Sequence, residues 1–568
     1  MIDLLRRMFE RPGLLVALII CSLLLNVLAL ASPLFVIQVL NRYVSYGVDS
    51  TLATLTIGAS FAVVLEFGFR QVRMRFASVV AARSNEIQSL ENFHFLTRVK
   101  LAAVENIPTG LRREFLSGSD AIAQAHSAPN VTTLLDFPFA LLFLGVLFLL
   151  SPPLALIAAL FAGGVWLAAM VSGSGLKTAA TEAIQKAGEG QRHVGSLISA
   201  ADSVRAFNAR AYLVHAWNVH LRGFQALARR IAAKRGFIQS VTQSAAAAMS
   251  IAIIAAGAVL VVNQELDVGA LIGANILAAR ALASVSRFVM LAEPMARAKQ
   301  AAQLMREFHK LPQELAQGSA LGEYQGSVSF KDVAIVYPGA STPLIESLNL
   351  ELQPGTVLLV CGANGSGKTT LCKLLAGLLE PTRGDVLADG VSLRQIVPEW
   401  WHRQVCYLPQ EPTLLNASVR DNLTTVRDSV DDDAINQAIT AAGLTAFFAE
   451  RNDGYKMMII DNGANLSLGI RRRLALARAL IADGRLVVFD EPTEGLDAEG
   501  RAAVYAVLNR MSQEGRTIIV ASDDPYIAQA AQASLDLDHK PTPVLHTRAP
   551  ESQGTAEGPG LGSQEAAS

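Results

Sequence analysis

Charged side chains are scarce in this chain: Asp, Glu, Lys and Arg make up 17% of it, against about 25% in ordinary soluble domains. With 51% apolar residues and a mean hydropathy of +0.34, it is too apolar for a wholly soluble protein, and intrinsic disorder of the whole is excluded. A surplus of one sign is missing too. The 48 basic and 49 acidic residues leave a net charge of −1 with no basic tail or patch, which excludes a nucleic-acid binder held by bulk electrostatics. Cysteine is nearly absent. The four present, Cys21, Cys361, Cys372 and Cys406, lie in apolar or strand-like surroundings without metal-ligand spacing, so neither a disulfide framework nor a zinc site is expected. They read as small buried hydrophobes of a reducing compartment. Also lacking is a small-residue cleavage site after the first apolar run, Leu14 to Val39, so that run is expected to stay as an anchor.

The 568 residues amount to three or four domain equivalents of about 150, enough for a membrane domain and a soluble one. Further apolar runs cover Thr51 to Phe67, Leu134 to Leu150, Leu154 to Val171, Ala245 to Val262 and Val268 to Leu291. Each is near the ~20 residues that cross hydrocarbon, and together they make a buried-core reading poor. Lys and Arg are retained on the cytoplasmic side. Arg6, Arg7 and Arg11 precede the first span, eight basic residues lie from Arg70 to Arg113, and ten from Lys177 to Arg235. The opposite connections, Asn41 to Ser50, Ser151 to Pro153 and Asn263 to Asp267, are short, so both chain ends are expected in the cytoplasm. The long inner connections have helix-compatible composition and should prolong the spans. Arg280 lies about 18 Å of helix rise from Val268. Either it faces a pathway or partner inside the membrane, or it sits near the inner surface with its side chain snorkelling.

From about Gly326 the pattern turns to short β-rich runs, such as Val328 to Val336 and Val357 to Cys361, broken by Gly and Pro and alternating with helical segments. That is an α/β domain. The run Leu358 to Cys361 opens into Gly362, Ala363, Asn364, Gly365, Ser366, Gly367, Lys368, Thr369 and Thr370 and then a helical pattern, a complete phosphate loop. The glycines let backbone N–H groups curl round phosphates, Lys368 reaches the β and γ oxygens, and the Thr369 hydroxyl is placed to ligate Mg²⁺. Downstream, the apolar run Leu486 to Phe489 ends in Asp490 and Glu491. Alone such a pair is usually a solvated turn. With the phosphate loop, Asp490 reads as the residue orienting the Mg²⁺ shell and Glu491 as the base polarising water on the γ-phosphate.

These residues resemble the ATP-binding cassette transporters of the exporter type over nearly the whole chain: six spans precede one cassette. The resemblance implies an all-α six-helix transmembrane domain (1–305), a linker (306–325), an α/β P-loop nucleotide-binding domain (326–540) and a disordered tail (541–568), rich in Gly, Ser, Glu, Ala and Pro. It implies ATP and Mg²⁺ as cofactors. Tyr337 matches the adenine-stacking aromatic, Gln410 the glutamine that senses Mg²⁺ and water, and Asp497 the loop that crosses to the partner cassette. Ser467 and Gly469 hold the signature position, but the family's LSGGQ reads LSLGI here. Leu468 replaces a glycine and is expected to obstruct backbone approach to the γ-phosphate across a dimer, and Ile470 cannot hydrogen-bond as glutamine does. The histidine expected after the last core strand, Thr517 to Ala521, is Asp523, an anion beside a phosphate.

Family sites are composite, one subunit's phosphate loop against the other's signature. A homodimer carries both departures twice, and a heterodimer with an intact partner distributes them; the second arrangement is the more workable. Span six and the segment Asn130 to Leu141, with Asp136, Phe137 and Pro138, look like the bacterial type I secretion transporters. That likeness implies a multi-pass inner-membrane protein among lipid that passes a polypeptide to a periplasmic adaptor and an outer-membrane channel. Lipid, peptide or small-molecule cargo is the alternative, as is a hydrolysis-impaired regulatory half. No soluble domain precedes the first span, so leader cleavage by a cysteine peptidase domain is not expected. Coupling helices that seat on cassettes are expected near Glu105 to Ser119 and Ser203 to Arg210.

Overall fold

The computed structural model describes residues 12–547 apart from 108, 316, 320, 321, 338 and 428. Arg6, Arg7 and Arg11 lie outside the described residues, as do the side chains of Arg83, Arg113 and Lys177. The chain forms two compact units: Met1–Val99 with Glu105–Leu311, and Lys100–Val104 with Pro312–Ser568.

Among the described residues of the first unit, six helical stretches are long and apolar enough to cross a bilayer: Pro12–Tyr46, Asp49–Val80, Ala128–Leu150, Pro152–Val171, Arg210–Val262 and Val268–Phe308. The first is built from α1 (Pro12–Leu28) and α2 (Ala31–Gln38), prolonged by a π-turn, Val39–Tyr43. Then come α3 (Asp49–Arg98), α4 (Thr109–Ala125), α5 (Ala128–Asp136), α6 (Phe139–Leu150), α7 (Pro152–Ser199), α8 (Arg210–Val262), α9 (Val268–Met290) and α10 (Ala292–Phe308). With 50, 48 and 53 residues, α3, α7 and α8 each run more than twice the ~30 Å hydrocarbon thickness at about 1.5 Å per residue. The third span breaks between α5 and α6 at Pro138, which has no N–H to give an interior turn.

Small residues let these helices approach closely. The buried face of α9 includes Gly269, Ala270, Gly273, Ala274, Ala278 and Ala281. A Cβ on Gly273 would stand 2.5 Å from the Ile37 side chain. Asn41, in the π-turn, reaches across to the start of α9: its Oδ1 accepts from Gly269 N at 3.1 Å and its Nδ2 donates to Asp267 at 3.2 Å. Arg280 is half-buried on α9, with no carboxylate at ion-pair distance among the described residues.

Of the stretch expected near Glu105 to Ser119, the residues from Glu105 onward group with the first unit. Lys100–Val104, just before it, belongs to the second unit, where Lys100 N donates to Pro312 O at 3.0 Å and its ammonium meets Glu380 at 2.5 Å. α4 is held in the first unit because Phe115, fully buried, stacks on Phe308 with centroids 4.6 Å apart. The helix near the other expected stretch is Ala201–Ala206, also in the first unit.

The second unit holds two sheets. β1 (Val328–Ile335), β2 (Ile345–Leu352), β4 (Arg383–Ala388) and β5 (Val391–Ser392) form an antiparallel sheet in the order β2-β1-β4-β5. The other runs β10-β9-β3-β8-β7-β6, from β3 (Val357–Cys361), β6 (Val405–Leu408), β7 (Leu486–Asp490), β8 (Thr517–Ala521), β9 (Ala533–Asp536) and β10 (Val544–Thr547). Its strands are parallel except at the β9–β10 edge. The central runs are apolar throughout, as a sheet covered on both faces requires. β7 and β8 are buried at every position. Within the stretch expected as a tail from 541, Val544–Thr547 pairs antiparallel with β9. Residues 548–568 lie outside the described ones.

Candidate functional site

At the C-terminal end of β3 the chain turns through the glycine loop into α11 (Lys368–Leu375). Gly365 and Gly367 take φ of +83° and +116°, left-handed values that side chains adopt only under strain, and Gly367 is the N-cap of α11. Loop N–H groups and helix dipole therefore converge where an anion would sit. Asn364 and Gly365 are exposed, while Ser366 and Thr370 are buried and Thr369 half-buried. The phenol of Tyr337 lies 2.9 Å from the Thr370 hydroxyl, so its exposed ring stands beside this loop.

The parallel register brings β7 to the same end. Glu491 follows it at φ +48°, a strained conformation of the kind found at functional sites, pinned by its N–H to Ala521 O at 2.8 Å. Lys368 Nζ donates to Gly362 O at 2.8 Å and meets Glu491 Oε1 at 2.8 Å and Asp523 Oδ2 at 3.0 Å. Burial alone would lower the Lys368 pKa; hydrogen bonds to these carboxylates hold it above the ordinary lysine value. Asp490 is 1% exposed, and neither carboxylate oxygen has a full hydrogen-bond partner among the described residues. Burial pushes its pKa up, opposed by the Thr369 hydroxyl beside it and reinforced by Glu491. A buried carboxylate with free lone pairs next to a hydroxyl is an oxygen donor set that fits Mg²⁺.

Gln410 is tied to a third carboxylate, whose charge also acts on Asp490. Its Nε2 donates to Glu494 Oε2 at 3.2 Å, and the same oxygen accepts from Arg472 Nη2 at 3.2 Å. Ser467 caps α12 (Leu468–Ala482), its Oγ accepting from Ile470 N at 3.4 Å. Leu468 is 41% exposed, and Gly469 has open space where a Cβ would be. Neither Ser467 nor Gly469 bonds to the phosphate loop among the described residues. Asp497 caps α13 (Ala498–Gln513) through Gly500 N at 2.8 Å and pairs with Arg473.

Sequence reasoning missed Glu494, Asp538 and Lys540. Asp538 Oδ1 accepts from Ala363 N at 2.8 Å, and Lys540 Nζ donates to Ser366 O at 2.5 Å and Leu344 O at 2.6 Å, bracing the phosphate loop from the strand after it in the sheet. Charged residues just past the buried strand β9 were the available signal, since parallel strands deliver their C-terminal ends to one crevice.

Comparisons with known proteins agree with this layout. Residues 15–284 match the family described as ABC transporter transmembrane region, and residues 345–494 match ABC transporter. The exotoxin translocation ATP-binding protein PaxB of Pasteurella aerogenes is 28% identical over 513 residues, covering 89% of this chain and 71% of that protein. The leukotoxin translocation ATP-binding protein LktB of Mannheimia glucosida is 27% identical over 503 residues, 88% of this chain and 71% of its own length. A bacterial Atm1-family ABC exporter solved with ATP bound has the same fold, with a TM-score of 0.82 at 18% identity over 93% of this chain and 94% of that one. A helical membrane region and a phosphate-loop cassette, each matched in its place along one polypeptide, make this chain a member of the ATP-binding cassette transporters, a multi-pass exporter subunit whose ATP hydrolysis is coupled to transport.

Proposed function

We propose that this chain is the half-transporter of a type I secretion system, moving a polypeptide across the bacterial inner membrane with both chain ends in the cytoplasm. The reading is supported foremost by its similarity, over 88–89% of its length, to proteins named for toxin translocation. Two cassettes act together in this reading: Ser467 is engaged in capping its own helix, and a second half-transporter would supply the signature that faces this chain's phosphate loop. A periplasmic adaptor and an outer-membrane channel complete the path.

In the cassette, the loop from Gly362 to Thr370 cradles the phosphates, Tyr337 stacks on the base, and Lys368 draws charge from the β and γ oxygens. Thr369 and Asp490 would hold Mg²⁺ with Gln410 nearby to orient water, and a bound ion would supply charge neutralisation at the transferring phosphate. Glu491 takes the proton of the attacking water.

A strain lacking this chain should lose a discrete set of secreted polypeptides, regained with the wild-type gene and not with Glu491→Gln. An unchanged secretome alongside altered export of a lipid or small molecule overturns the polypeptide assignment. The second reading, a nucleotide-binding half that turns ATP over poorly and relies on a different partner, is favoured by Leu468, Ile470 and Asp523. Purified alone, such a half binds ATP without Mg²⁺-dependent turnover, whereas a self-sufficient homodimer hydrolyses it.

A further inference from the structure

An ammonium has three N–H donors, and Lys368 uses all of them on its own chain: Gly362 O at 2.8 Å, Glu491 Oε1 at 2.8 Å and Asp523 Oδ2 at 3.0 Å. In this arrangement no donor is left for a phosphate. Phosphate oxygens reach the ammonium only by displacing a carboxylate, and the two carboxylates differ in how freely they move. The Glu491 side chain is 14% exposed on a backbone fixed to Ala521, whereas that of Asp523 is 63% exposed. The backbone around Asp523 is nevertheless firmly placed. Ser522 N donates to Val360 O at 3.2 Å, and Asp524 accepts from Tyr505 Oη at 2.7 Å and Tyr526 N at 2.9 Å. Asp523 is thus an exposed anion on a fixed backbone, paired with the cation of the phosphate loop.

We propose that Asp523 is a built-in counter-ion of Lys368 that competes with nucleotide phosphate for the ammonium and swings aside when nucleotide binds, so that ATP affinity is set by competition with the chain's own carboxylate. This rests on the nucleotide-site reading of Lys368 given above. It explains how an anion is accommodated beside the phosphate loop: it is paired with the ammonium, and its charge opposes nucleotide binding once phosphate displaces it. Because that opposition acts on phosphate charge, it falls harder on ATP than on ADP.

The test is equilibrium binding of ATP and ADP, with Mg²⁺, to the full chain in detergent, read by displacement of a fluorescent trinitrophenyl-ATP that keeps weak binders measurable. Asp523→Asn should tighten ATP about tenfold, the equivalent of about 1.4 kcal/mol, and ADP by clearly less. With Lys368→Ala already in place, the same replacement should tighten ATP clearly less, since the competition for the ammonium is gone and only the repulsion of phosphate remains. Unchanged or weaker ATP binding in Asp523→Asn overturns the proposal, and so does a gain that persists in full without Lys368. If Lys368→Ala weakens ATP binding while Asp523→Asn does nothing, only the counter-ion role fails. If Lys368→Ala leaves ATP binding intact, the nucleotide-site reading falls with it.

Discussion

Arg73 Nη1 and Asp136 Oδ1 stand 2.5 Å apart inside the membrane unit, with 7% and 10% of their side chains exposed. Asn26 Nδ2 donates to the same oxygen at 3.2 Å and to Ser22 O at 2.8 Å, so the pair ties the first three spans together. Removing one partner strands the other charge in a low-dielectric interior, a loss of about 3–5 kcal/mol, while replacing both by apolar groups of similar volume is often neutral. Asp136→Ala should therefore lower the thermal unfolding midpoint in detergent far more than Arg73→Met combined with Asp136→Leu. Equal losses in the single and paired variants would show that the ion pair itself is not what matters there.

Glu491→Gln keeps the side chain's shape and removes its basicity. Turnover should fall by about 10²–10⁴-fold, with MgATP retained on the protein, measured as phosphate release beside bound nucleotide after gel filtration. Turnover that stays at the wild-type rate would place the base on another residue.

The parts of this site written into neighbouring positions were readable without coordinates. Lys368 and Thr369 follow glycines whose left-handed turns only a loop of that composition makes, and Asp490 ends an unbroken apolar strand. Contacts made by distant chain were not. Asp538 reaches Ala363 across 175 positions, and Phe115 finds its stacking partner in Phe308 on another helix. The Gly- and Ser-rich composition after Pro541 likewise hid Val544–Thr547, whose edge pairing depends on β9 lying alongside.

Leu468 opens α12 with its side chain 41% exposed, and Ile470 offers no side-chain hydrogen bond. Leu468→Gly with Ile470→Gln should raise the Mg²⁺-dependent ATPase rate of the purified chain several-fold if the altered signature limits it. The helix itself should tolerate the change, since glycine at the first helical position disturbs little of its interior. No gain would assign the limit to Asp523 or to a missing partner subunit.

Cys406 is fully buried on β6, and burial pushes its thiol up to about 11, against the opposing hydrogen bond of Gly484. The thiolate is the nucleophile, and at pH 8 such a thiol is ionised to roughly one part in a thousand, against about a quarter for an ordinary cysteine. Iodoacetamide at pH 8 should leave Cys406 unmodified in the folded chain by mass spectrometry and modify it after denaturation. Because its pKa is raised, any folded-state reactivity should climb about tenfold per pH unit up to about pH 11. Rapid labelling at pH 8 would mean that β6 opens to solvent.

Glu494 joins Gln410 to Arg472 through a single oxygen, at 3.2 Å to each. Gln410 follows β6 and Arg472 lies in α12, so this carboxylate is a mechanical link between the glutamine loop and the signature helix. The Arg472 side chain is 8% exposed, and its Nε and Nη1 have no partner among the described residues, so losing Glu494 leaves a buried guanidinium almost wholly uncompensated. Glu494→Ala should therefore destabilise the chain. In a double-mutant cycle, Gln410→Ala and Arg472→Ala should show a coupling of about 0.5–3 kcal/mol in ATPase activation free energy, which vanishes once Glu494 is replaced. Strictly additive effects with Glu494 in place would mean that the two elements respond to nucleotide independently, and that the shared oxygen only holds Arg472 in the fold.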